Sequence, residues 1–88
     1  MKVVSRPIDA IVVFKSREHP LPYKFRFTDS GTGEQKIIYI DKILFVDERV
    51  LAGVNMIVYE CQSKLDDTDI RYQLKYFVQS CSWELYKI

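Results

Sequence analysis

The sequence predicts one all-β domain built as an antiparallel meander of five to six strands. Three observations predict it: apolar residues recur with period two, β-branched and aromatic residues are abundant, and turn-forming residues break the chain at short intervals. Tyr23-Lys24-Phe25-Arg26-Phe27-Thr28 and Ile70-Arg71-Tyr72-Gln73-Leu74-Lys75-Tyr76 both alternate, as half-buried strands do. No long stretch keeps a period of 3.6. The best helical candidate, Asp47 to Ala52, is long enough for one turn at most.

Six strands are expected, at about Ile8–Lys15, Tyr23–Asp29, Gln35–Glu48, Val54–Ser63, Thr68–Val78 and Ser82–Lys87. The first is separated from the second by His19-Pro20-Leu21-Pro22, a loop because two prolines remove two ladder donors. The second turns back through Ser30-Gly31-Thr32-Gly33, rich in turn formers. Centring that hairpin on Gly31-Thr32 sets Phe25 opposite Ile38 and Tyr23 opposite Ile40 on a core face. Lys24, Arg26, Ile37 and Tyr39 then share the outer face.

The third strand carries an irregularity. Ile38 and Ile40 lie on one phase, and Ile43 and Phe45 on the other. If all four face the core, an extra residue sits near Asp41-Lys42 as a β-bulge. The competing reading is a strand covered on both faces. A long bent strand lets a small sheet curl on itself, so the expected architecture is a small SH3-like barrel.

The fourth and fifth strands meet at Asp66-Asp67, which pairs Cys61 with Tyr72, Tyr59 with Leu74 and Ile57 with Tyr76. Their other face is polar: Glu60, Gln62, Arg71, Gln73 and Lys75. A last hairpin about Gln79-Ser80 pairs Tyr76 with Trp83, Leu74 with Leu85 and Lys75 with Glu84. The registers about Gly31-Thr32 and Asp66-Asp67 both separate a core face from a water face, and a one-residue slip would invert every side chain. Gln79-Ser80 is not a preferred two-residue turn, so the last register has less to fix it.

Bulk composition bounds the rest. The 88 residues suffice for a single domain, 1–88, and 48% of them are hydrophobic, too many for a disordered chain. Net charge is +1, from 13 basic and 12 acidic residues. That gives no overall signal for nucleic acid. No apolar run reaches the roughly 20 residues of a membrane helix, and the first residues do not resemble a secretory signal. Cys61 and Cys81 are too few to staple a small secreted fold. Together these predict a cytoplasmic protein with reduced thiols and no membrane partner.

Residues with chemical potential are few. His19 is the single histidine and stands in a loop, without the nucleophile and orienting group of a triad. Asp66-Asp67-Thr68-Asp69 gathers carboxylates, but it reads as a turn rather than a cation loop, which would need a glycine and a distal glutamate. Ser30-Gly31-Thr32-Gly33 lacks the following helix of a phosphate cradle. The sequence therefore implies no catalytic residue, metal or cofactor.

The candidate binding residues are Lys24, Arg26 and Tyr39, with Lys36 beside them, on the outer face of one hairpin. Basic and aromatic side chains together suit single-stranded nucleic acid or a protein interface. An ordinary solvated sheet face is the plainest alternative. The balanced charge favours a protein partner, or a second copy of the chain joined through a sheet face or edge strand. A third reading is a barrel mouth lined by Tyr72, Tyr76 and Trp83 that takes a small ligand.

Ile8-Asp9-Ala10-Ile11-Val12-Val13-Phe14, Arg49-Val50-Leu51-Ala52-Gly53, Tyr59-Glu60-Cys61-Gln62-Ser63 and Cys81-Ser82-Trp83-Glu84-Leu85-Tyr86-Lys87 together resemble a group of small uncharacterised bacterial all-β proteins. The resemblance spans most of the chain. It implies a bacterial, cytoplasmic, stand-alone domain and brings no activity or site with it.

Overall fold

The computed structural model describes residues 1–29 and 31–88. Seven strands make one antiparallel sheet: β1 Val3–Val13, β2 Leu21–Thr28, β3 Gln35–Tyr39, β4 Lys42–Leu51, β5 Val54–Leu65, β6 Thr68–Phe77 and β7 Ser82–Lys87. No helix is present among the described residues. The spatial order is β3-β2-β1-β7-β6-β5-β4. The expected five to six strands become seven, and the meander is two meanders joined where β1 pairs with β7. Lys2 and Ile88 exchange backbone hydrogen bonds of 2.8 and 3.0 Å at that junction.

The extra strand comes from Gln35–Glu48, which is two strands rather than one. β3 and β4 lie at opposite ends of the spatial order, yet only Ile40-Asp41 separates them in the chain. Two residues span less than about 10 Å, so the sheet must curl until its edges meet at this corner. Ile40 donates its N–H to Tyr23 O (3.0 Å), while Asp41 donates to Gln62 O (3.1 Å). The chain thus crosses from one edge to the other within two residues. β3 and β4 form no ladder with each other, which leaves a half-barrel open along that side.

The bulge lies at Leu44, further along than Asp41-Lys42. Ile43 pairs with Cys61, but Phe45 pairs with Glu60 and Val46 with Tyr59. The extra residue reverses the phase, so Ile43 and Val46 face inward. Phe45, expected in the core, points outward and is 59% exposed.

The hairpin registers match the sequence reading: Phe25 faces Ile38, Tyr59 faces Leu74, and Tyr76 faces Trp83. Two tight turns fix two of the hairpins. Ala52-Gly53 has φ of 50° and 78°, and Asp66-Asp67 has 48° and 61°. Paired positive φ values mark the turn whose twist matches that of the flanking strands. The helical turn considered over Asp47–Ala52 is instead the end of β4 and the start of this turn.

The inward face buries Phe25, Ile38, Ile57, Tyr59, Cys61, Tyr72, Leu74, Tyr76, Trp83 and Leu85. The indole of Trp83 lies 5.2 Å from the Tyr59 ring and 4.8 Å from that of Tyr76. These rings pack on each other, so the aromatic cluster fills the barrel instead of lining a mouth. Buried phenol tips need partners. Tyr72 shares a 2.6 Å hydrogen bond with Ser63 Oγ, and Ser63 donates to Tyr39 O at 2.7 Å, stitching β5 and β6 to β3. Tyr59 donates to Pro20 O, which seats the β1–β2 loop over one end of the barrel.

Candidate functional site

The outer face of β1–β2–β3 gathers exposed apolar side chains around a cation. Its geometry begins with a second bulge. Ile11 pairs with Lys24, but Val12 pairs with Pro22, so Tyr23 is the extra residue. Proline in a sheet is confined to edges and bulges, and Pro22 sits at this one. The consequence corrects the sequence reading. Tyr23 was expected on the core face opposite Ile40, yet it turns outward and is 54% exposed.

Tyr23 meets Tyr39 edge to face, with ring centroids 6.2 Å apart at 89°. Lys24 Nζ lies 5.1 Å from the Tyr39 centroid, within the range of cation–π attraction. Ile11 and Ile37 flank them and are exposed. A shallow groove runs beside this group between Ile11, Lys24, Arg26 and Ile37, with Asp9 at its rim.

The four residues singled out from sequence do not form one cluster. Lys24 faces Tyr39, and Arg26 faces Ile37, on the outer face. Arg26 is occupied: its guanidinium reaches Asp9 Oδ2 at 2.7 Å. Lys36 is in phase with Ile38, opposite Phe27, and so lies on the other face of the sheet. There it reaches Asp29 Oδ2 at 3.1 Å. The Gly31 N–H and then the Lys36 ammonium hold the Asp29 carboxyl below its ordinary range. The outer face is therefore an aromatic and aliphatic patch around one uncommitted cation, Lys24, rather than a basic one. Sequence reasoning missed Tyr23; the signal was Pro22 within an alternating run.

The other candidates have structural surroundings. His19 pairs with Glu48 of β4. Asp66 and Asp67 occupy the β5–β6 turn, and no group of three metal-ligating side chains occurs among the described residues. Cys61 and Cys81 are free thiols. Burial pushes the Cys61 thiol up to about 12, so it stays protonated and inert at neutral pH. Cys81 is exposed in the β6–β7 loop. No helix among the described residues is long and apolar enough to cross a membrane.

No family model, curated protein or solved structure matches this chain.

Proposed function

We propose that this chain is a non-enzymatic interaction module whose exposed sheet surfaces engage a protein partner or a second copy of itself. The observation that carries the reading is the patch of Tyr23, Tyr39, Ile11 and Ile37 around Lys24. Exposed apolar patches mark interaction sites, and aromatic residues are enriched in protein interfaces. Two edges of the half-barrel, β3 and β4, add unpaired backbone groups to the surface. We also take the half-barrel as a variant of the SH3-like architecture, working in the cytoplasm with its two thiols reduced.

The second reading is single-stranded nucleic acid stacked on Tyr23 and Tyr39. Lys24 over Tyr39 favours it. Pairing of Arg26 with Asp9, and of Lys36 with Asp29 on the far face, weakens it, because phosphate binding needs several free cations.

Substitution of Ile37 by Glu separates the readings. The protein and the Ile37→Glu variant are each immobilised and exposed to extract from the source cells at low and high salt. A partner retained at high salt by the unaltered protein and lost by Ile37→Glu supports the protein interface. Retention of a thymidine oligonucleotide that falls steeply with salt supports the second reading. Partners held equally by both proteins would remove this face from consideration.

A further inference from the structure

We propose that β4 pairs antiparallel with β4 of a second copy, with the two-fold axis at Glu48. This deepens the self-association arm of the proposed function and rests on that reading. Among the described residues β4 pairs only with β5, so its other edge is open. The segment Phe45-Val46-Asp47-Glu48-Arg49-Val50-Leu51 has a chemical symmetry about its middle residue: two apolar, one acidic, the centre, one basic, two apolar.

Antiparallel pairing through Glu48 sets Asp47 opposite the partner's Arg49, Val46 opposite the partner's Val50 and Phe45 opposite the partner's Leu51. Phe45 and Leu51 share the outer face with Asp47 and Arg49, by alternation from inward-facing Val46. Both are more than half exposed, at 59% and 66%. Arg49 already contacts Asp47 of its own chain at 2.7 Å, so pairing would join two ion pairs into a ring of alternating charge. Sliding by two residues keeps the faces but sets Arg49 against Arg49, or Asp47 against Asp47. Sliding by one sends each strand's outward residues to the other face. Among the registers that keep the faces, the one centred on Glu48 sets Asp47 against the partner's Arg49 on both sides of the axis. These two opposite-charge pairs outnumber the single like pair, Glu48 against Glu48, that it places on the axis.

The backbone phase agrees. Asn55, the β4 partner of Val50, donates to Gln79 Oε1 at 3.2 Å and accepts from Val78 N–H at 3.1 Å. Both of its groups therefore point away from β4. In an antiparallel ladder such a residue faces one whose own groups point away too. Val50 therefore turns its N–H and C=O to the open edge, and by alternation so do Glu48 and Val46. These are the residues that the Glu48-centred register hydrogen-bonds across the two-fold. Two Glu48 side chains meet at the axis, and each is paired with His19 of its own chain.

The paired segment is short, so the interface falls below the roughly 1,200 Å² of stable complexes and a dissociation constant on the order of micromolar is expected. Sedimentation equilibrium from low micromolar to millimolar protein tests it. The unaltered chain should pass from monomer to dimer. Asp47→Arg should weaken the dimer about tenfold or more, and Asp47→Arg with Arg49→Asp should recover most of it. Far-ultraviolet circular dichroism establishes that each variant is folded. In a Cys81→Ser background, Glu48→Cys should cross-link under mild oxidation, because residues on the axis come within disulfide range, and Asp47→Cys should not.

A chain monomeric throughout, a dimer indifferent to Asp47→Arg, or cross-linking at position 47 rather than 48 would each overturn the pairing. Ile37→Glu should leave the dimer intact. If Ile37→Glu dissolves it while Asp47→Arg does not, β4 pairing falls and the β1–β3 face stands.

Discussion

Ser63 shows how much one buried hydroxyl can carry. It is the one buried polar residue among those described, and it satisfies both the Tyr72 phenol and the Tyr39 carbonyl. Ser63→Ala leaves both without that partner, and an orphaned buried polar group costs about 1–3 kcal/mol. Tyr72→Phe removes one bond and leaves Ser63 its bond to Tyr39, so a loss of about 1 kcal/mol is expected. Urea denaturation should rank Ser63→Ala as the more damaging. Acid–base behaviour follows from the same burial. Cys61 is raised to about 12, and burial also raises the Tyr59 and Tyr72 phenols. All three are protonated in the folded chain and ionise more readily when unfolded. Their contribution is therefore complete below the unfolded thiol value, near about 8.5, and is lost as pH rises. Between about pH 9 and 10, stability should fall with a slope of up to about 1.4 kcal/mol per pH unit from Cys61, steepening as the phenols join. Cys61→Ala should flatten the first part of that decline in urea titrations run at successive pH values.

At the level of the elements, local pairings were legible and departures from them were not. Phe25–Ile38, Tyr59–Leu74 and Tyr76–Trp83 follow from period-two alternation about a turn, and the chain obeys them. The bulges at Tyr23 and Leu44 each add one residue, and alternation places everything beyond such a residue on the wrong face. That is why Tyr23 and Phe45 were expected inside. Pro22 could have exposed the first, whereas nothing in the side chains around Leu44 announces the second. The candidate site was correspondingly half legible: Lys24, Arg26 and Tyr39 share a face as read, while Tyr23 was missing and Lys36 lies on the reverse. The turns offer a direct check. Ala52 holds φ 50° beside Gly53 at 78°, and Asn is the residue best suited to the first position of such a turn. Ala52→Asn should stabilise the chain by about 0.5–1 kcal/mol, the size of turn-compatible backbone substitutions. Gly53→Ala should destabilise it by about 1 kcal/mol, since a side chain at that φ is strained. Thermal melts of the two variants should move in opposite directions.

Across the whole molecule, the pairing of β1 with β7 was hidden because it joins residues at the two ends of the chain. Val3 faces Lys87, and Ile8 faces Trp83; no turn between them leaves a mark in the sequence. The seventh strand was hidden for a related reason. Gln35–Glu48 reads as one bent strand because the change of phase between Ile40 and Ile43 suits a bulge as well as a corner, and Ile40-Asp41, the whole of the step from β3 to β4, carries no glycine or proline to mark a turn. The same geometry directs the functional reading, since curling the sheet leaves β3 and β4 as open edges and turns the Tyr23–Tyr39 patch to the outside.

The hydrogen bonds between Lys2 and Ile88 bring residues 2 and 88 side by side in the middle of the sheet, where β1 pairs with β7. Linking Ile88 to Met1 by a short glycine-rich tether and starting the chain at Asp41 would write all seven strands in their spatial order. Each strand would then neighbour its successor, and the pairing of greatest sequence separation would become a hairpin. Because loop closure over long separations slows folding, such a circular permutant should refold faster in stopped-flow experiments, while its unfolding rate should rise through loss of the Ile40-Asp41 tie between the two edges.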